Sequence, residues 1–285
     1  MIKNQSTMDT KFWGPSAWKL LHMAAFQYNP TTQHNDMASF LSLLPFVLPC
    51  KFCRKSLTEY YGELPFEGHL GSQKDLALWL YKIHNKVNGK LKSQGLLDEP
   101  NPSFREVSEK YKNYLSQGCS KTIFPGWEFL FSILDNHPFS KEGRHTKPFE
   151  CSPFTSPPTT NSEKNRFNTL TPEERVPYLI EFFQVLPRIL PYREWQEVWD
   201  VVAASDGQSQ TCNNIGEGRR RAISWLWKIR KELEAHFELE NKDTFLGLCS
   251  TVATHRSGCS KSSRAITCRR SRKARTQGGH RSNTK

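Results

Sequence analysis

Residues 72–91 read SQKDLALWLYKIHNKVNGKL, and this stretch decides the class of fold. Its apolar residues recur every three or four positions, so that Leu80, Ile83 and Val87 lie on one stripe. That period is typical of an α-helix buried along one side. Ser72 stands at the start of the stretch, where a serine side chain caps a helix. We therefore predict a helix that packs through one face.

The same spacing recurs along most of the chain, and no segment shows the sustained alternation of a β-strand. Further helices are predicted over residues 16–26, 35–48, 53–62, 103–118 and, with interruptions, 172–242. Ser16, which follows a Gly-Pro pair, should open the first of these, and Pro45 and Pro49 should close the second. The predicted class is all-α.

The formal charge of +12 is unevenly distributed. Ten Lys or Arg residues and no Asp or Glu lie between Ser250 and Lys285, so the rest of the chain is nearly neutral. A nucleic-acid-binding role is therefore confined to this basic tail. The tail lacks the aromatic residues that stack on bases, so we expect weak, salt-dependent binding to nucleic acid or anionic surfaces.

No segment has the composition of a membrane span or a secretory signal. The apolar run at 41–49 is too short for a bilayer and contains proline. The first residues lack an apolar signal stretch, which predicts a soluble protein that is not secreted by a classical signal.

Composition divides the chain into three parts. Residues 9–118 form one predicted helical domain, and residues 119–241 form a second with a loop insertion at about 138–172, rich in Pro, Ser, Thr and Asn. Residues 242–285 contain few large apolar groups and are predicted to be a disordered basic tail.

The second domain resembles a degenerate copy of the first. Three pairs of segments match in the same order: 39–57 with 181–199, 79–87 with 225–233, and 14–26 with 125–134. The apolar frame is kept, but polar and reactive residues are replaced: Cys50 by Tyr192, Cys53 by Trp195, His22 by Phe131, His84 by Arg230 and Asn85 by Lys231. This pattern predicts a function confined to the first copy.

Cys50 and Cys53 form the only CxxC in the chain. Such a pair serves as half of a zinc site, as a thioredoxin-like redox pair, as a flavin-coupled disulfide, or as two ordinary cysteines. A zinc site needs four ligands, and no second pair is present, so no metal is predicted. A thioredoxin-like pair needs a βαβ context, whereas the surrounding sequence is helical.

A polar face accompanies the apolar stripe of the helix at 72–91. His84, Asn85 and Asn88 lie together at helical spacing, and Trp18 stands over His22 on the first helix. These groups suit a planar heteroaromatic ligand with hydrogen-bonding edges, although a solvated helix face has the same composition.

The three motifs together resemble the Erv/ALR family of FAD-linked sulfhydryl oxidases, most closely its members from large DNA viruses. The motifs are WGPSAWKLLHMAAF at 13–26, LPCKFCRKSL at 48–57 and WLYKIHNKVNGKL at 79–91, within a similarity that covers about residues 12–95. The resemblance implies a small helical bundle that holds FAD. One departure is Tyr81, which stands where the family often carries a further structural cysteine.

The resemblance also implies an activity. The enzyme forms disulfides in dithiol protein substrates and passes electrons through Cys50 and Cys53 to FAD and then to molecular oxygen, which gives hydrogen peroxide. Cys50 is the outward sulfur that an incoming thiol attacks, and Cys53 is the sulfur beside the flavin. The implied FAD-lining residues are Trp13, Gly14, Trp18, His22, Tyr28, Cys53, His84, Asn85, Val87, Asn88 and Lys90.

Assembly and location are further expectations from the resemblance. Family members pair through their helices, so we expect a homodimer or an internal pseudo-dimer in which the second copy covers the first. Cys259 and Cys268 are the favoured candidates for a pair that shuttles electrons to the CxxC. Expected locations are the cytoplasm of an infected host or a virion, with the mitochondrial intermembrane space as the alternative. A redox-inactive scaffold that acts through the basic tail is the alternative function.

Overall fold

The computed structural model of the protein describes residues 7–119, 124–139, 159–204, 210–239 and 243–257. These ranges contain twelve α-helices and two strands of two residues each, which confirms the all-α class. None of the described helices combines the length and apolar character needed to cross a bilayer.

The first five helices form the half of the molecule that contains the CxxC. They are α1 (Thr10–Gln27), α2 (Pro30–Val47), α3 (Lys51–Glu63), α4 (Gln73–Ser93) and α5 (Phe104–Ser116). Ser72 caps α4 as predicted, because its side chain accepts a hydrogen bond from the backbone N–H of Asp75. Ser103 and Glu106 cap α5 reciprocally.

Two predicted helix boundaries were wrong. Helix α1 begins at Thr10 rather than Ser16, because Asp9 accepts a hydrogen bond from the backbone N–H of Lys11 and caps the helix earlier. Helix α2 begins at Pro30 rather than at residue 35, because Asn29 caps it there, and it ends at Val47, within one residue of the predicted end. Pro15 and Pro45 lie inside α1 and α2.

The remaining seven helices form the second half and the C-terminal segment. They are α6 (Trp127–Asp135), α7 (Thr159–Arg166), α8 (Pro172–Val185), α9 (Arg193–Ala204), α10 (Gln210–Gly216), α11 (Arg219–His236) and α12 (Phe245–Thr254). Short 3-10 helices occur at Glu67–His69 and at Leu186–Ile189, where the second directly continues α8.

Helices α7 and α12 lie in segments that we predicted to be a loop and a disordered tail. Asn165, at the end of α7, is buried and donates hydrogen bonds to the Pro45 carbonyl at 2.8 Å and to the Thr58 hydroxyl at 3.1 Å. Thr244 caps α12, and the α12 residue Val252 is buried. The loop prediction is therefore wrong for residues 159–166, and the tail prediction is wrong for residues 243–257.

The helices of the two halves correspond in the order that the repeated segments give. Helices α1, α2, α3 and α4 match α6, α8, α9 and α11, and both α2 and α8 begin with proline after a capping residue. Helix α1 packs against α6, and α2 packs against α8. The Phe40 and Phe182 rings lie 5.2 Å apart, and Phe46 stacks on Tyr178 at 4.1 Å. Equivalent helices thus meet across the contact between the halves.

The two short strands join the described ends of the chain into a terminal ribbon. Strand β1 (Thr7–Met8) pairs antiparallel with β2 (Arg256–Ser257). Arg256 also binds the buried carboxylate of Asp135 through two nitrogens. The backbone N–H of Met8 donates to the Pro49 carbonyl at 3.0 Å, which brings the ribbon beside the CxxC.

Candidate active site

The CxxC lies at the start of helix α3. Cys50 is the N-cap residue, and its sulfur accepts a hydrogen bond from the backbone N–H of Cys53 at 3.4 Å. Cys53 is a free thiol in this structure. The unpaired N–H groups of a first helical turn favour negative charge nearby.

The two sulfur-bearing residues differ in exposure. Cys50 is only 1% exposed, whereas Cys53 is partly exposed. Met8, which is also buried, is held beside Cys50 by its bond to Pro49. The order of exposure is thus the reverse of our expectation that Cys50 faces outward.

A buried arginine supports the turn that carries the cysteines. The Arg54 guanidinium is buried and donates to the Leu48 carbonyl at 2.8 Å. Burial lowers its pKa to about 10, and the neighbouring sulfurs of Cys50 and Cys53 act in the opposite direction. Arg54 therefore places a cation close to the redox pair.

Helix α8 brings a second buried cation to the same region. Burial lowers the pKa of Arg175, and the charge of Arg54 lowers it further. Arg54 directly follows Cys53 in the sequence, whereas no local pattern indicates that Arg175 lies near it.

Aromatic rings from α1 and α4 form a compact cluster. Trp18 stacks on His84 with ring centroids 3.8 Å apart and planes 10° apart. His22 Nε2 lies 3.1 Å from His84 Nδ1, so the two imidazoles share a hydrogen bond. Three residues predicted as FAD ligands are thus brought together.

Helix α5 adds Tyr111, which the sequence analysis missed. Its ring stacks on His22 at 4.8 Å and on Phe26 at 5.8 Å. Tyr111 lies on the apolar stripe of an amphipathic helix, where a core residue gives the same pattern.

Both histidines of the cluster are neutral near pH 7. Burial, with smaller effects from His84 and Lys110, lowers the pKa of His22 to about 3. Burial, followed by the charge of Lys110, lowers the pKa of His84 to about 4. His22 Nδ1 is buried and has no hydrogen-bond partner in the structure.

We expect these histidines to make the stability of the fold depend on pH. A histidine in the unfolded chain titrates near 6.5. Below that pH, both imidazoles therefore bind protons in the unfolded state but remain neutral in the folded state. The free energy of unfolding should therefore fall as the pH drops from about 6.5 to about 4, by about 1–2 kcal/mol per ring at pH 5. Urea denaturation at pH 7 and pH 5 measures this difference.

A double variant, His22→Gln with His84→Gln, should show a smaller loss between the two pH values. His34 is exposed and offers a matched control, since His34→Gln should leave the loss unchanged. An equal loss in the double variant and the native chain would contradict the assignment.

Four more of the predicted FAD ligands also lie on α4: Asn85, Val87, Asn88 and Lys90. Lys90 Nζ contacts the Ser56 hydroxyl at 2.5 Å and so ties α4 to the helix of the CxxC. Asn88 donates to the Asn101 side chain at 3.1 Å. Asn85 and Val87 are partly exposed on the same helix.

The remaining predicted ligands have their contacts outside the cluster: these are Trp13, Gly14 and Tyr28. Trp13 is buried against Phe129 of α6, and its indole nitrogen has no hydrogen-bond partner in the structure. The Tyr28 hydroxyl donates to the Leu70 carbonyl at 2.9 Å. A side chain at partly exposed Gly14 would meet nothing within 4 Å. Phe26, rather than Tyr28, lies beside His22, at 6.4 Å between ring centroids.

The donor set suits a flavin nucleotide. Trp18, His22 and His84 provide planar surfaces, and the free Nδ1 of His22 is a buried polar atom that a ligand could satisfy. Asn88 and Lys90 continue along α4 and provide an amide and a cation for polar and phosphate groups. Among the described residues, no group of three or more His, Cys, Asp or Glu is arranged to hold a metal ion.

Comparison with known proteins agrees with these motifs. The Erv1/Alr family model matches residues 15–112. The chain is 30% identical over 114 residues to the FAD-linked sulfhydryl oxidase of African swine fever virus, isolate Pig/Kenya/KEN-50/1950, which covers 39% of this chain and 86% of the viral protein. The chain belongs to the Erv1/Alr family.

Other relatives of this Erv1/Alr chain carry similar names. It is 28% identical over 109 residues to the putative FAD-linked sulfhydryl oxidase 096R of Invertebrate iridescent virus 3, across 37% of the chain and 70% of the relative. It is 36% identical over 87 residues to the mitochondrial FAD-linked sulfhydryl oxidase ERV1 of Saccharomyces cerevisiae, across 30% and 45% respectively. No solved structure matches the chain.

The second half has packed side chains where the Erv1/Alr half has its cluster. Trp127 and Arg230 stand at the positions of Trp18 and His84, and the guanidinium lies 5.9 Å from the Trp127 ring centroid. Arg230 is buried and paired with Glu234 at 2.7 Å. Trp195, at the position of Cys53, is 1% exposed. Among the described residues, this half therefore has packed side chains instead of a cysteine pair at the place that is equivalent to the CxxC.

Proposed function

We propose that this chain oxidises pairs of protein thiols to disulfides through Cys50 and Cys53, with FAD as the first electron acceptor and molecular oxygen as the last. Membership of the Erv1/Alr family, whose matched relatives are named FAD-linked sulfhydryl oxidases, makes the chain an FAD-linked thiol oxidase. The observation that carries the proposal is the CxxC at the start of α3, within the family match. Overall, two thiols and oxygen give one disulfide and hydrogen peroxide.

The reaction begins with disulfide exchange at the oxidised CxxC. A substrate thiolate attacks the Cys50 sulfur, forms a mixed disulfide with it and breaks the Cys50–Cys53 bond, so that Cys53 leaves as a thiolate. The first turn of α3 and the cation of Arg54 stabilise that negative charge. The second substrate thiolate then attacks the substrate sulfur of the mixed disulfide, which releases the oxidised substrate and a reduced CxxC.

Attack at Cys50 requires a local movement, because this residue is 1% exposed. The ribbon residue Met8 is bonded to Pro49 beside it. We propose that the ribbon at Met8 moves to open the approach to the Cys50 sulfur.

We assign FAD to the cluster of Trp18, His22 and His84, from which its ring system would reach the CxxC. When bound there, FAD accepts two electrons from the reduced cysteines and delivers them to oxygen. Trp18, His22 and His84 would contact its ring system, and Asn88 and Lys90 its polar groups. Lys90 also contacts Ser56, on the helix of the CxxC, and so couples the position of α4 to that of the cysteines.

The experiment that tests this function is an absorbance spectrum of the purified protein followed by an oxygen-uptake assay with dithiothreitol. We expect a yellow protein with about one FAD per chain that consumes oxygen and forms peroxide. A colourless protein that stays inert to dithiothreitol after FAD is added would contradict the proposal.

We further propose that the second half is a built-in partner that covers the helix faces through which two copies would otherwise pair. The packing of α1 on α6 and of α2 on α8 supports this, since a two-fold symmetric dimer brings equivalent helices together. Tyr192 and Trp195 stand at the positions of Cys50 and Cys53, so the CxxC occurs in one of the two halves.

The basic tail carries the remaining expectations. Cys259, Cys268 and the cationic residues from Lys261 onward lie outside the described residues, so the shuttle pair and the binding of nucleic acid stay predictions from sequence. For the cellular location, the matched viral relatives and the yeast mitochondrial relative favour the two alternatives given above.

A further inference from the structure

An exposed strip of aromatic and charged side chains runs from the CxxC along the outside of α3. We call it the α3 strip, and its members are Lys51, Phe52, Lys55, Glu59, Arg166 and Phe167. Phe52 lies between the two cysteines and is 40% exposed, and Phe167 is 66% exposed at the end of α7. They are two of only four large apolar residues exposed in the described part of the chain.

The strip is a continuous surface because of helical spacing and one ion pair. Phe52, Lys55 and Glu59 are three and four positions apart on α3, so they share one face. Arg166 of α7 lies 3.3 Å from the Glu59 carboxylate and extends that face to Phe167. The buried side chain of Asn165, bonded to α2 and α3, fixes the end of α7 in this place.

A cation accompanies each exposed ring. Lys51 Nζ lies 5.2 Å from the Phe52 ring centroid, and the Arg166 guanidinium lies 5.8 Å from that of Phe167. Lys55 lies 3.9 Å from Glu59, the one carboxylate among the six members. The strip therefore has a net charge of two positive, with an apolar contact at each end.

We propose that the α3 strip is the docking surface for the protein substrate, and that it binds an extended segment with an aromatic or large apolar residue and acidic residues next to the reactive cysteine. This inference rests on the proposed function, because it places the substrate thiol at the CxxC. Exposed aromatic side chains provide contact area at low entropic cost, and the cations attract acidic residues and exclude basic ones.

The dimensions of the strip fit a short segment. Phe52 and Glu59 are seven residues apart on α3, a rise of about 10.5 Å. About three extended residues cover this distance. A substrate whose cysteine reaches the CxxC would thus place the next three residues along α3 and a fourth or fifth near Phe167. Exposed charges are screened by salt, so binding should weaken as ionic strength rises.

The test compares two reduced substrates, dithiothreitol and a dithiol peptide flanked by Phe and Asp, in the oxygen-uptake assay. The variant is Lys55→Glu with Phe167→Ser, because both positions lie outside the CxxC turn and the aromatic cluster. We expect kcat/KM for the peptide to fall by about tenfold, mainly through KM, while the value for dithiothreitol changes less than twofold. A peptide with Lys in place of Asp should be a poor substrate for the native chain and a better one for the variant.

Leu246 is 80% exposed on α12, away from the strip, so Leu246→Ser is the matched control and should leave both substrates unaffected. The docking proposal is overturned if the variant loses nothing with the acidic peptide, or loses the same factor with dithiothreitol. Failure of the native chain to oxidise dithiothreitol would instead refute the proposed function itself, so the two failures are distinguishable.

Discussion

Cys53→Ser is expected to abolish oxygen uptake with every thiol substrate, at least about a thousandfold below the native rate. Serine cannot form the disulfide that the substrate attacks, so neither the mixed disulfide nor the two-electron transfer can occur. Cys53 is partly exposed and makes only a backbone hydrogen bond to Cys50, so the fold should be retained. Oxygen uptake with dithiothreitol and the flavin absorbance of the variant measure the two effects separately.

Cys50→Ser should be equally inactive, because a single cysteine cannot form the disulfide that accepts two electrons from the substrate. Cys249→Ser is the matched control: Cys249 is a free, half-buried thiol on α12, and we expect its variant to keep the native rate. Full activity in either CxxC variant would show that the electrons take another route.

Phe182→Ala is expected to lower the free energy of unfolding by about 3–5 kcal/mol. Phe182 is fully buried at the contact between the halves, where its ring lies 5.2 Å from Phe40 and 6.4 Å from Phe129. Truncation leaves a cavity between α2 and α8 that rigid helices cannot close. Urea denaturation followed by far-UV circular dichroism gives the difference.

The exposed ring of Phe167 provides the comparison for this change, since Phe167→Ala should lower the free energy of unfolding by less than about 0.5 kcal/mol.

We also expect one unfolding transition in the native chain, because α1 and α2 pack directly on the second half. A first half that unfolds separately and is unaffected by Phe182→Ala would contradict the proposal of a built-in partner.

Local signals in the sequence were sufficient for helices α2 to α5, whereas the expectation that Trp18, His22 and His84 share one site came from the resemblance to the Erv/ALR family. Caps and apolar spacing act over a few residues, so Ser72 indicates the start of α4 independently of the rest of the fold. The apolar frame of the repeat is also visible in the sequence, and its matched segments lie in helices that follow the same order in the structure.

The features that the sequence did not reveal depend on contacts between distant residues. Helix α7 is stabilised by a bond from Asn165 to Pro45, 120 positions away, and the ribbon by a bond from Arg256 to Asp135, 121 positions away. Composition alone made both segments look unstructured. The burial of Cys50, which is 1% exposed, is likewise a property of the packed fold that no local pattern encodes.

The packing of α2 on α8 has a consequence for behaviour on dilution. Two separate subunits dissociate when their concentration falls below the dissociation constant, and the helix faces between them then meet water. Here the faces of α2 and α8 belong to one polypeptide. The chain that connects them keeps their effective concentration high at any dilution of the protein. The faces of α1 and α2 are thus covered in a single newly made molecule, before it encounters a second copy.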